Sequence, residues 1–127
     1  MNNVFFGIYS GYYNTTGTDN IFIGSRAGYS TSTGVNNVFI GTRSGYTNST
    51  GINNIFLGDS SGYRNTSGRE NLFMGTRAGY SNTIGLYNVF LGFEAGYSNI
   101  GSTAYDGNFN SAVGYKAGYS NTTGQSN

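Results

Sequence analysis

The sequence predicts an all-β chain, a parallel β-solenoid of seven rungs with a 17-residue repeat, and three observations carry that reading. A hexad of the type Asn36-Asn37-Val38-Phe39-Ile40-Gly41 returns at seventeen-residue intervals through most of the chain. The 22 glycines fall at fixed places in that interval, and there is no proline. The apolar residues follow no 3.6-residue period, and the recurring glycines leave no run long enough for a stable helix.

Seven units start at Asn3, Asn20, Asn37, Asn54, Asn71, Asn88 and Asn110, and they read as one repeat domain over residues 1–127. Within a unit, position 1 is Asn, and positions 2 to 4 are β-branched, aliphatic or aromatic, the composition of a short strand. Position 5 is Gly. Positions 8 to 11, as in Ala27-Gly28-Tyr29-Ser30, read as a second short extended segment, and Asn14-Thr15-Thr16-Gly17 with its later counterparts supplies the turn back. The sixth unit is longer, and the excess falls at about residues 101–107, Gly101-Ser102-Thr103-Ala104-Tyr105-Asp106-Gly107, a predicted loop on one edge. A unit with two short strands is most economically one coil of a solenoid, each coil rising about 4.8 Å onto the last, for a rod roughly 33 Å long.

Two columns follow from the stacking. Asn3, Asn20, Asn37, Asn54, Asn71, Asn88 and Asn110 are expected to link amide to amide as a rung ladder. Position 3 forms the other column, and alternation along a strand sends it to the opposite face from positions 2 and 4. Both faces are then apolar and both need cover. The expectation is that Val38 and Ile40, with their equivalents, fill the chain's own core. On that reading the column Phe5, Phe22, Phe39, Phe56, Phe73 and Phe90 is the self-association surface that meets another copy, because so large an apolar patch is not left in water.

Composition excludes several classes. Only 9% of residues are charged, with six Lys and Arg against five Asp and Glu, which predicts no nucleic-acid partner. There is no apolar run of about 18 residues, so no membrane insertion by a helix is expected, and Met1-Asn2-Asn3 does not begin a signal peptide. Cys, His and Trp are absent. The acids Asp19, Asp59, Glu70, Glu94 and Asp106 are scattered, so neither a catalytic constellation, a metal site nor a cofactor is expected. Arg26, Arg43, Arg77 and Lys116 share position 7, but Tyr9, Ser60 and Glu94 interrupt them, and the stripe reads as a solvated face that discourages lateral sticking.

Hydroxyl pairs such as Thr15-Thr16 and Ser49-Thr50 lie next to glycine, which is turn chemistry and not a flat ice-binding array. Asn14, Asn48, Asn65 and Asn121 each begin an Asn-x-Ser/Thr sequon, read as turn residues in a bacterial protein and as glycan acceptors in a secreted eukaryotic one. The terminal rungs carry no polar cap, which predicts either a piece of a longer array or ends covered by neighbouring subunits.

Asn36-Asn37-Val38-Phe39-Ile40-Gly41 resembles the Asn-Ser-Val-Ala-Ile-Gly repeat of YadA-like trimeric autotransporter adhesin heads, and Phe109-Asn110-Ser111-Ala112-Val113-Gly114 is closer still. The unit from Asn71 to Asn82 is similar to the repeats of bacterial and phage tail-fibre-like proteins. That resemblance implies a left-handed β-roll in a homotrimer displayed outside the cell. The chain departs from it in a longer unit and in Phe where the adhesin has Ala. The expected function is therefore a structural, self-assembling subunit of an extracellular fibre or filament. The alternative is an adhesive head whose positions 7 and 11, with Tyr9 and Tyr13 in the first unit, recognise a surface glycan or matrix.

Overall fold

The computed structural model describes residues 2–101, 103 and 105–127; Met1 and two residues of the expected insert loop, Ser102 and Ala104, lie outside the described residues. Seven three-residue strands, β1 (Val4–Phe6), β2 (Ile21–Ile23), β3 (Val38–Ile40), β4 (Ile55–Leu57), β5 (Leu72–Met74), β6 (Val89–Leu91) and β7 (Ser111–Val113), form one parallel sheet in sequence order. Register is fixed by the repeat: Val4 pairs with Ile21, Phe39 with Phe56 and Met74 with Leu91, each seventeen residues on. The last step, Val89 to Ser111, is twenty-two residues, so the longer sixth unit bulges without disturbing the pairing. Gly107 accepts a hydrogen bond from Asn88 Nδ2 at 2.7 Å, the bond that Gly85 accepts from Asn71, and so restores the rung geometry after the insert.

Each rung holds one strand, not the two expected. Positions 8 to 11 form a turn, because position 7 adopts φ of 52–57° and the glycine at position 9 adopts 58–62°, both left-handed and incompatible with extended backbone. The turn is still bonded from rung to rung: the amide of Gly28 donates to the Ser44 carbonyl at 2.9 Å and that of Ser30 to the Tyr46 carbonyl at 3.0 Å. Backbone polar groups are thus satisfied around the coil without a second sheet.

The orientation of the strand is the reverse of the expectation. Phe22, Phe39, Phe56, Phe73 and Phe90 are buried inside the chain, their rings stacked 4.8–5.0 Å apart and within 13° of parallel. Phe5 caps the stack on Phe22 at 5.0 Å. Val38, Ile40 and their equivalents face outward instead. The physical reason is cross-section: the coil has room for one ring per rung, and the opposing positions are the smallest available. At Gly62 (φ +59°) a Cβ would lie 2.5 Å from the Phe56 ring, so the glycine at position 9 is the seat of the phenyl group. Position 8 closes the core with Ala27, Ala78 and Ala95, or with Ser44 and Ser61, whose hydroxyls donate to the Phe56 and Phe73 carbonyls at 3.0 and 3.2 Å. Burying each ring is worth about 1.5–3 kcal/mol, and each stacked contact adds about 0.5–1.5 kcal/mol.

Carboxamides fill the rest of the interior. The expected position 1 ladder is present: Asn37 donates its backbone amide (2.9 Å) and Nδ2 (3.1 Å) to Asn20 Oδ1, and Nδ2 also reaches the Gly51 carbonyl at 2.8 Å. The same pattern runs through Asn54, Asn71 and Asn88. A second ladder at position 12 was not read from the sequence. There Nδ2 of Asn65, Asn82 and Asn99 donates to Oδ1 of the residue one rung earlier, at 2.6, 3.1 and 2.9 Å. Its signal in the sequence is Asn recurring three residues before a glycine, a spacing that turn chemistry also produces.

Candidate functional site

Because position 3 points inward, positions 2 and 4 of the seven strands form an outward face of Val, Ile, Leu, Met and Phe side chains, with Ser111 the one polar member. Its ends are the most exposed, with Phe6 at 75% and Val113 at 70% of full accessibility, and its centre is partly exposed, Ile55 at 41%. On the last two rungs stacked aromatic pairs widen it: Phe93 lies on Tyr115 at 5.5 Å beyond the strand ends, and Tyr87 on Phe109 at 5.1 Å before the strand starts. In the middle rungs the same rims are polar, with Thr42, Asp59, Asn53 and Glu70.

The predicted self-association residues Phe22, Phe39, Phe56, Phe73 and Phe90 are therefore not on the surface, and the expectation that they meet another copy is corrected; the apolar face that lies open is built by their neighbours. The sequence reading missed this face because it assigned these aliphatic residues to the core. Asn48 and Asn65, the first residues of two sequons, are buried in the second ladder, which removes both as glycan acceptors in the folded chain.

A different surface lies across the coil. Tyr29, Tyr46, Tyr63, Tyr80, Tyr97 and Tyr119 stack at 5.0–5.1 Å and within 8° of parallel, half-buried, with Tyr12 continuing the column at 5.5 Å. Position 7 borders it on one side and position 11 on the other: the Lys116 ammonium sits 5.4 Å from the Tyr119 ring, and the Arg64 guanidinium 5.8 Å from that of Tyr80. Glu94, nearly buried, bridges Arg77 at 3.1 Å and Lys116 at 3.6 Å. The hydrogen bond from Arg77 to Glu94 pushes the guanidinium pKa upward, and nearby Tyr115, then Glu94, does the same for Lys116. At the start of the column Tyr9 and Tyr13 meet Tyr12 and Tyr29 edge to face, and the hydrogen bond with Tyr13 raises the pKa of Tyr29.

Among the described residues no cavity opens and no three Asp or Glu side chains gather. What the molecule offers is surface, one apolar strip and one aromatic strip with cations beside it.

Fold and surfaces together define a single-sheet parallel β-solenoid of stacked 17-residue rungs with a phenylalanine and asparagine interior. No family model, curated protein or solved structure matches the chain.

Proposed function

We propose that the chain is a structural, self-assembling subunit that packs its outward sheet face on further copies of itself, building an extracellular fibre or filament. The observation that carries the reading is the apolar strip of positions 2 and 4 along β1 to β7, interrupted only by Ser111 in β7. Thirteen outward apolar side chains on the seven strands, at roughly 60 Å² of exposed surface apiece, put on the order of 800 Å² on one face, about the share each partner brings to a standard-size interface. A patch of that size exceeds what monomeric proteins ordinarily leave in water. The strip also has the shape that a second copy matches, since its rung spacing is set by backbone pairing and is the same in every copy.

Sedimentation and electron microscopy of the purified chain test this. The parent is expected to run as an oligomer or filament, and Ile40→Lys with Ile55→Lys to run near 13.5 kDa with its β-sheet circular dichroism kept. A parent that stays at 13.5 kDa at tens of micromolar, or a double variant that assembles as the parent does, refutes it.

A further inference from the structure

Along the tyrosine column the arginines, interrupted at position 7 in the sequence, run through consecutive rungs. Position 7 supplies Arg26 on the second rung, Arg43 on the third and Arg77 on the fifth, while the fourth has Ser60 there. The gap is bridged from the other side of the column, because Arg64 occupies position 11 of that same fourth rung, with its guanidinium over Tyr80. Four consecutive rungs therefore each carry one arginine at position 7 or 11, flanking tyrosines stacked 5.0 Å apart, with the Arg26 guanidinium 5.9 Å from the Tyr9 ring. The ion pairs among the described residues are Arg77 with Glu94 and Lys116 with Glu94, so Arg26, Arg43 and Arg64 hold their charge toward solvent. Glu94, at position 7 of the sixth rung, is held by Arg77 and Lys116, and the Asp59 carboxylate accepts the Ser60 hydroxyl at 2.5 Å. Asp19 and Glu70 stand just before β2 and β5, at the start of the apolar sheet face.

We infer that the strip formed by the tyrosine column with Arg26, Arg43 and Arg64 binds a linear anionic polysaccharide lying along the rod. The cations flank the column, Arg26 and Arg43 from position 7 and Arg64 from position 11, one to a rung, which suits a chain carrying one carboxylate or sulfate per sugar. The tyrosines present ring edges and hydroxyl groups, since each ring face is already spent on its neighbour in the stack. Those hydroxyls suit the hydroxyl-rich backbone of a sugar polymer. Single-stranded nucleic acid needs open ring faces for its bases, and here they are closed. This strip lies apart from the apolar face, so the inference stands independently of self-association.

The test uses the intact chain over immobilised heparin and polygalacturonate, with neutral dextran and oligo(dT) as comparisons. Retention on at least one acidic polysaccharide at low salt, loss of that retention as salt rises, and none on dextran are expected. Arg26→Gln with Arg43→Gln and Arg64→Gln is expected to weaken binding by about tenfold or more and to flatten its salt dependence, while Arg69→Gln, outside the strip, leaves both unchanged. The substituted side chains are exposed at their ends, and circular dichroism checks that the rungs persist. Absence of retention, equal binding by the triple variant, or tighter binding to oligo(dT) than to either polysaccharide overturns the inference.

Discussion

The second asparagine ladder has one break, and repairing it should stabilise the protein. At position 12 the second rung carries Thr31 between Asn14 and Asn48. Thr31 is fully buried, and its hydroxyl has no hydrogen-bond partner; neither has Nδ2 of Asn14. The amide of Asn14 is also turned round. Its Nδ2 is the atom nearest the Gly17 α-carbon substituent site, where Asn48, Asn65 and Asn82 bring Oδ1 nearest Gly51, Gly68 and Gly85. The cause is that threonine has no amide to give to Asn14 Oδ1, and one hydroxyl does not span the rung spacing on both sides. In Thr31→Asn the new Nδ2 donates to Asn14 Oδ1, and the new Oδ1 accepts from Asn48 Nδ2, as Asn48 itself accepts from Asn65 at 2.6 Å. A buried polar atom without a partner costs about 1–3 kcal/mol, so relieving two of them, less the cost of fixing a longer side chain, should yield about 2 kcal/mol. For a chain of this length that is about 6–10 °C in Tm, read by thermal and guanidinium unfolding followed by circular dichroism. The reverse change in mid-rod, Asn65→Thr, strands Asn48 Oδ1 and leaves Asn82 Nδ2 with only the Gly85 carbonyl, and should cost about the same. If Thr31→Asn leaves the midpoint where it was, or Asn65→Thr is neutral, the ladder does not hold the rungs together as argued.

The remaining predictions concern the core, its glycine seat and the tyrosines. Phe56→Ala should lower stability by about 3–5 kcal/mol through loss of a buried ring and the cavity left behind, whereas Ile55→Ala on the outward face should cost under about 1 kcal/mol; denaturant midpoints separate the two. Gly62→Ala adds a methyl 2.5 Å from the Phe56 ring at a φ of +59° and should cost about 2–4 kcal/mol, visible in the same unfolding curves. Tyr29 has a raised pKa in the fold, so its neutral form contributes stability that is complete below the unfolded value of about 10 and is lost as pH climbs through the folded one. Tyr13→Phe removes the hydrogen bond that causes the rise and should move the most alkaline part of the tyrosinate absorbance titration to lower pH; an unchanged curve refutes that coupling.

Much of this architecture is legible in the residues. The interval, the strand at positions 2 to 4, the parallel register and the position 1 ladder all follow from which residue types recur and where. The facing of the strand does not, because Val38-Phe39-Ile40 is apolar on both sides and alternation alone cannot say which side is inside. The discriminating feature was the size of what stands opposite: Ala or Ser at position 8 and Gly at position 9 leave a slot for one aromatic ring and for nothing behind it. The turn at positions 7 to 9 was hidden for a different reason. Arg, Ser, Glu, Lys and Tyr occupy a left-handed corner that usually advertises itself with glycine. The aromatic strip escaped because its fourth arginine arrives from another position of the unit, which a column-by-column reading treats as unrelated.

That left-handed corner has a wider consequence. Tyr9, Arg26, Arg43, Ser60, Arg77, Glu94 and Lys116 all hold φ within 52–57°, so the backbone there is indifferent to what it carries. Each such residue spends about 1–2 kcal/mol on an unfavourable conformation, supported by the interior that repeats beneath it. The rung thus separates grammar from vocabulary: Asn, Phe and Gly fix the coil, while the corner accepts Tyr, Arg, Ser, Glu or Lys without a change of backbone. A molecule built this way can acquire a new surface, rung by rung, by substitution alone, with no loop to remodel and no core to repack.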